Sequence, residues 1–244
     1  MQTWGLTDPG NIRQQNQDSY AIMPFGRDRV LMIICDGMGG AKSGNVASSL
    51  AVEVFTDEVR RTQRAGMTPE KAAAMLRSAL ELANSAVFEQ SQLSDDFTGM
   101  GTTLVAALVR GLRVEIVNIG DSRAYHITRE GIRQVSRDHS VVEDMVEKGD
   151  LTRDEARRHP RRNLITRALG TEPGVAADAF PLKWQQGDFL LLCSDGLINT
   201  VSDQELLFEV IHSEPLDTCL DRLLSLSRQR GAPDNVTAVL LMNI

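Results

Sequence analysis

No apolar run in this sequence is long enough to cross a bilayer. The longest, such as 30–35 (VLMIIC) and 189–193 (FLLLC), fall far short of the roughly twenty residues a spanning helix needs. The opening MQTWGLTDPGN has no basic segment followed by an apolar one, so no signal peptide is expected and the chain is read as cytoplasmic. Cysteine is scarce: Cys35, Cys193 and Cys219 are odd in number and form no C-x-x-C, and two sit in apolar runs. Buried free thiols in a reducing compartment are the expectation. The four histidines, His126, His139, His159 and His212, form no H-E-x-x-H, which argues against a histidine-rich zinc or iron site. No arginine follows a cysteine by six positions, and neither G-x-S-x-G nor G-x-x-x-x-G-K-[ST] occurs, which removes the common thiolate, serine-elbow and phosphate-loop chemistries. A basic surplus is also missing. With 26 Lys and Arg against 33 Asp and Glu the formal charge is -7, which speaks against nucleic acid or an anionic membrane as the main partner.

What is present reads as an ordinary globular chain of 244 residues, 42% apolar and 24% charged, enough for one compact domain with a substantial core. Strands are predicted at 29–35, 102–109, 113–119, 122–128, 188–193 and 236–242, each β-branched or leucine-rich and bounded by Gly, Asp or Asn. Arg110-Gly111 and Arg129-Glu130-Gly131 read as short hairpin connections, so that part of the sheet is expected to be antiparallel. Helices are predicted at 45–62, with Val46, Leu50, Val54 and Val59 on one side, and from an N-cap at Thr68 with Pro69 at the first position to about residue 90. Two more are expected at 203–212, opened by a capping box at Ser202 to Glu205, and at 216–230. Residues 139–163 are charged and weakly apolar, with a second capping box at Thr152 to Glu155 and a basic cluster of Arg157, Arg158, His159, Arg161 and Arg162. They read as a small exposed helical insert. The cluster is either a solvated face or a contact for substrate. An α+β domain with helices outside sheets follows.

One pattern recurs. Apolar runs begin or end at an aspartate, usually beside glycine: Asp36-Gly37 after LMIIC, Gly120-Asp121 after VEIVNI, Asp195-Gly196 after FLLLCS, Asp234-Asn235 before VTAVLLM, and Asp18 before SYAIM. Singly, each reads as a turn. Together, on strands that share a sheet, they would gather carboxylates at one edge, where clustered anions need cations. Oxygen ligands of this kind suit Mg²⁺, Mn²⁺ or Ca²⁺, and glycine after the acid would allow close approach of its carbonyl.

These motifs run in a recognisable order. Arg13 to Asp18 (RQQNQD), Asp36 to Gly40 (DGMGG), Gly101-Thr102-Thr103, Gly120-Asp121-Ser122-Arg123, Asp138-His139-Ser140, Ile165 to Gly170 (ITRALG), Ser194 to Leu197 (SDGL) and Asp234 to Thr237 (DNVT) together resemble the type 2C, or PPM, family of metal-dependent protein serine/threonine phosphatases. The DGMGG form and compact length resemble its bacterial branch. The resemblance implies two antiparallel sheets sandwiched between helix pairs (α-β-β-α), one catalytic domain over 1–244, and residues 139–163 as a mobile flap. It implies that Asp36 bridges two Mn²⁺ or Mg²⁺ ions with the Gly37 carbonyl on one, that Asp195 and Asp234 ligate the other, and that Asp18 holds water on the metal. Asp121, with Asp195, matches the position of a third, weaker ion, and Arg13 that of the group gripping the substrate phosphate.

The activity implied is hydrolysis of phosphoserine and phosphothreonine by a metal-activated water, without a covalent intermediate, so Cys35 and Cys193 are read as strand core. Phosphorylated proteins are the expected partners, with a Ser/Thr kinase opposed and the enzyme monomeric. A pseudophosphatase serving as a binding or scaffold module is the alternative; the complete set Asp18, Asp36, Asp121, Asp195 and Asp234 favours the enzyme. A nuclease is disfavoured by the acidic balance. Two departures stand out: Ala41 and Asn45 replace the His and Glu of many bacterial relatives, and Met38 takes the place of an animal histidine near the bridging aspartate. His139 is read as structural.

Overall fold

The computed structural model describes residues 1–40 and 43–244; Ala41 lies outside them. Along the chain the strands are β1 (Gln2–Asp8), β2 (Asp18–Pro24), β3 (Arg29–Met38), β4 (Gly101–Thr102), β5 (Leu104–Arg110), β6 (Arg113–Ile119), β7 (Arg123–Thr128), β8 (Gly131–Gln134), β9 (Asp178–Lys183), β10 (Phe189–Cys193) and β11 (Val236–Met242). The helices are α1 (Gly44–Thr62), α2 (Pro69–Ser91), α3 (Val141–Glu147), α4 (Arg153–Arg158), α5 (Asp195–Ile198), α6 (Asp203–His212) and α7 (Cys219–Gln229). One sheet has the order β1-β11-β10-β7-β8. The other runs β2-β3-β5-β6-β9, with β4 on the end of β3. The pairings are antiparallel, and two-residue turns join β5 to β6 (Arg110 opposite Arg113) and β7 to β8 (Thr128 opposite Gly131).

The apolar runs are continuous because the central strands are covered on both faces. On β3, Leu31, Ile33 and Cys35 pack under α1 and α2, while Val30, Met32 and Ile34 face the other sheet. On β10, Leu190 and Leu192 join that inter-sheet core, and Phe189, Leu191 and Cys193 pack under the later helices. Layers of helix, sheet, sheet and helix result, as the resemblance implied. All three cysteines are buried and free. No helix among the described residues is long and apolar enough to cross a membrane.

The predicted caps form: Thr68 accepts from the Lys71 amide, and both capping boxes close. Three expectations are corrected. The buried face of α1 is Ala47, Ala51, Phe55 and Val59 rather than Val46, Leu50, Val54 and Val59; small alanines bring the helix close to the sheet, and the larger aliphatics sit half-buried on its flank. The expected strand 102–109 breaks at Thr103, whose Oγ1 accepts from the Asp36 amide and whose own amide donates to the Asp36 carbonyl. The stretch 216–230 begins as a short 3₁₀ turn, Leu216–Thr218, before α7. Strands β1, β8 and β9 were not predicted.

Candidate metal centre

The five aspartates come from the ends of strands in both sheets, not from one sheet edge. In β2 and β3, Asp18 pairs directly with Asp36, a juxtaposition of like charge that is destabilising by itself. In the facing sheet Cys193 of β10 stands opposite Arg123 of β7 and Ala238 of β11. Asp195 follows that end of β10, Asp121 precedes β7, and Asp234 precedes β11, so the three lie at one end of neighbouring strands. Asp18 and Asp121 are buried; Asp36, Asp195 and Asp234 are partly open.

The titration of Asp18, Asp36, Asp121 and Asp195 shows how poorly the protein alone tolerates this charge. Burial is the leading cause throughout. It lifts Asp36 well above the usual carboxylate range, with Asp18, Asp195, Asp121 and Asp234 adding repulsion. Asp121 is lifted likewise, with Asp195 and Asp138 contributing. Asp18 rises to about 6 against hydrogen bonds from Thr237 and Ser194. Asp195 rises to about 6, with Asp234 adding and hydrogen bonds to Asp36 and Asn199 opposing.

Groups that the sequence reading left without a role hold these acids in place. Ser194 donates from Oγ to Asp18 Oδ2 (2.8 Å) and accepts from the Thr237 amide. Thr102 Oγ1 donates to the Asp36 carbonyl, and Asn199 Nδ2 donates to Asp195 Oδ2. Asn235, 4% exposed, donates to the Pro9 and Gln15 carbonyls and accepts from the Gln17 amide, fixing the loop that carries Arg13. Ser194 and Asn235 stand beside Asp195 and Asp234 in the same motifs, a signal that could have found them; Thr102, far from Asp36 in sequence, and Asn199, beyond the SDGL motif, offered none.

Gly37 and Gly196 are required by close approach. A Cβ on Gly37 would lie 2.0 Å from the Gly44 carbonyl oxygen, and one on Gly196 would lie 2.0 Å from that of Asn235. The Asp-Gly pairs thus reflect backbone packed against backbone as well as turn geometry. His139 is structural: its Nδ1 accepts from the Gly120 amide and its amide donates to the Gly120 carbonyl, bracing the residue before Asp121. Burial lowers its pKa. Asn45 is exposed on the first turn of α1.

Arg13 reaches over the cluster. Its Nη2 donates to Asp234 Oδ2 at 2.8 Å with the side chain 51% exposed, and Asp36 and Asp195 also stabilise its charge. A cleft of about 720 Å³ opens beside Asp121 and Asp195, walled by α3, α4 and the start of α6.

The donor set fits hard divalent cations. Asp18 Oδ1 is buried with no hydrogen-bond partner, and an orphaned carboxylate oxygen in a cluster of unwillingly ionised acids calls for positive charge. Among the described residues no three acid, histidine or cysteine side chains enclose an ion by themselves. Ions such as Mg²⁺ also take backbone carbonyls and keep part of their water, so they do not need a complete side-chain cage.

Comparison with known proteins agrees with this geometry. A family model described as Protein phosphatase 2C matches residues 12–240. The chain is 37% identical over 236 residues to the serine/threonine phosphatase stp of Listeria monocytogenes, covering 96% of this chain and 93% of the relative. Among solved structures it resembles serine/threonine phosphatase Stp1 of Staphylococcus aureus (TM-score 0.91, 36% identity, 98% of this chain and 93% of that one). It also resembles the catalytic domain of serine/threonine phosphatase PstP in complex with two manganese ions (TM-score 0.84, 34% identity, 98% and 96%). With the family model spanning nearly the whole sequence and the layered fold matched end to end, the chain belongs to the protein phosphatase 2C family.

Proposed function

We propose that this protein hydrolyses phosphoserine and phosphothreonine on other proteins, using Mn²⁺ or Mg²⁺ held by the aspartate cluster. The observation that carries the reading is the meeting of Asp18, Asp36, Asp121, Asp195 and Asp234 from the ends of two sheets beneath one exposed arginine. Asp36, Asp195, Asp234 and the Gly37 carbonyl are the residues that would hold a pair of ions, and Asp121 with Asp195 would hold a third, weaker one. When bound, such ions lower the pKa of water and offset the charge on a phosphoryl group. Asp18, with Oδ1 unpartnered, accepts a hydrogen bond from water in the site and orients it. Arg13 presents a planar fork to two phosphate oxygens, and its exposure leaves it free to do so. No nucleophilic side chain is needed: Cys35 and Cys193 are fully buried, with thiols pushed up by burial, Cys193 to about 12.

The same reading makes the whole chain one catalytic domain with 139–163 as its flap, supported by the family match over 12–240. It sets a monomeric enzyme in the cytoplasm, opposing a Ser/Thr kinase; the free, buried cysteines are in keeping with a reducing compartment. The test is phosphate release from a phosphoserine peptide by protein stripped with EDTA and then resupplied with Mn²⁺ or Mg²⁺. Turnover should vanish on stripping and return with metal. Full turnover by stripped protein, or none by metal-loaded protein, overturns the proposal.

A further inference from the structure

The cleft beside the aspartates is rich in charge, and most of that charge is already paired. The acids Glu143 and Glu147 are met by Arg153 and Arg137. Asp203 and Glu205, at the start of α6, are met by Arg157 and Arg230. Asp138 is gripped by Arg123 and Gln134. Two groups of opposite sign are left over: Asp121 and Asp195 at the metal centre, and Arg162, which lines the same cleft. Among the described residues no acid lies within 4.0 Å of Arg162, or of Arg158 and Arg161 beside it. In a chain of net charge -7, three neighbouring cations without partners stand out, and of these Arg162 lines the cleft and is closely preceded in the chain by Arg158 and Arg161.

These side chains are exposed, but the backbone under them is tied down. The Arg161 amide donates to His159 Nδ1 (3.2 Å), the Arg162 amide to the His159 carbonyl (3.1 Å), and the Leu164 amide to the Arg161 carbonyl (3.1 Å). From there the Val141 amide donates to the Leu164 carbonyl (2.9 Å) and the Thr166 amide to the His139 carbonyl (2.8 Å). His139 in turn is hydrogen-bonded to Gly120, which precedes Asp121. A chain of hydrogen bonds thus connects the arginine turn to the residue before Asp121, beside the cleft that a phosphorylated segment would enter.

We infer that the turn 158–162 reads the charge next to the scissile phosphoresidue, selecting substrates with an anionic side chain that lies against Arg162, with Arg158 and Arg161 in support. The ligand chemistry is a carboxylate or a second phosphate on the same polypeptide. The inference rests on the phosphatase reading above and adds the substrate class to it. An exposed ion pair contributes little by itself, so the selection is modest, graded by the number of arginines engaged, and weakened by salt.

The experiment uses the full chain loaded with Mn²⁺ and phosphoserine peptides that differ in flanking residues. One set walks a glutamate along both flanks, one carries glutamine at the same positions, and one carries a second phosphoserine. The readout is the ratio of kcat/KM, acidic over neutral, compared between wild type, Arg162→Gln, Arg162→Glu and the triple variant Arg158→Gln, Arg161→Gln, Arg162→Gln, each checked by thermal melting. For wild type we expect a ratio of about three- to tenfold at low salt for the best position, as two exposed ion pairs would give, shrinking as salt is raised. The ratio should fall in Arg162→Gln, approach one in the triple variant, and drop below one in Arg162→Glu. Preference for glutamate and phosphoserine alike identifies a general anion site, and preference for phosphoserine alone identifies a second-phosphate site; both support the inference. Equal wild-type rates on acidic and neutral peptides overturn it while leaving the phosphatase reading intact, as does a preference that survives in the triple variant. Absence of turnover on every peptide overturns both.

Discussion

Arg13 and Asp234 are joined by a hydrogen bond of 2.8 Å at the mouth of the aspartate cluster. The residue proposed to grip phosphate is therefore in contact with one proposed to hold metal. The pair is substantially exposed, at 51% and 35%, so the contact is easily exchanged for others.

Removing Arg13 should therefore have two effects of opposite sense. Arg13→Ala loses a charge-assisted contact to phosphate, typically worth about 1.5–3 kcal/mol, so kcat/KM on a phosphoserine peptide should fall roughly ten- to a hundredfold. It also removes a cation that leans on Asp234, Asp36 and Asp195, so Mn²⁺ should bind the variant no more weakly than wild type, and up to about fivefold more tightly. Steady-state kinetics and calorimetric titration separate the two effects. An unchanged kcat/KM would remove Arg13 from the phosphate pocket.

The raised carboxylates give a stability prediction with a definite sign. Asp195 titrates at about 6 in the folded protein, above the roughly 3.9 of an unfolded chain. Its contribution is thus fully favourable below the unfolded value and is lost as pH rises through about 6. Without metal at pH about 7.5 its charge is a cost, and Asp195→Asn should melt higher than wild type; near pH 4 the advantage should disappear. Added Mn²⁺ should reverse the order, because only the intact site gains stability from binding. Turnover in Asp195→Asn and in Asp36→Asn should be nearly abolished. A lower Tm for metal-free Asp195→Asn at pH 7.5 would contradict the assignment.

The sequence revealed the centre of the fold more readily than its margins. Strands β5, β6, β10 and β11 are covered on both faces, so composition alone marks them. Strands β1, β8 and β9 are sheet edges: half-solvated and four to seven residues long, with β1 and β9 interrupted by Gly5 and Pro181, which an edge tolerates and a central strand does not. The acids were legible because each stands at the end of an apolar run. Their supports were not. Ser194 reaches Asp18, and Asn235 reaches Gln15, across most of the chain, and no local pattern encodes a contact between distant segments.

The glycines that follow the acids can be tested independently of catalysis. Gly196→Ala sets a Cβ against the Asn235 carbonyl, where neither backbone can yield freely, and overpacking of this kind typically costs about 1–3 kcal/mol. Gly174, with open space around a Cβ, is the control. Thermal melting should show a loss of several degrees for Gly196→Ala and little change for Gly174→Ala. Equal Tm values would mean that the Asp-Gly pairing serves only the turn.

Asp121 offers the sharpest separation of structure from chemistry. It is buried, and its carboxyl is pushed well above the usual range by burial first and then by Asp195 and Asp138. If it merely capped the turn before Ser122 and Arg123, Asp121→Ala would lower stability by about 1 kcal/mol and leave kcat alone. If instead it belongs to a third, weaker ion site, the metal-free variant should melt no lower than wild type at pH 7.5, because an unfavourable buried charge has been removed. Two Mn²⁺ ions should still bind, since Asp36, Asp195 and Asp234 remain, while the weakest binding event disappears from the titration. Turnover on a phosphoserine peptide should drop sharply all the same, because no histidine stands beside Asp36 to supply the leaving-group proton, and a water held by an ion at Asp121 would supply it instead. Two bound ions with wild-type kcat would assign Asp121 to the turn and take it out of the reaction.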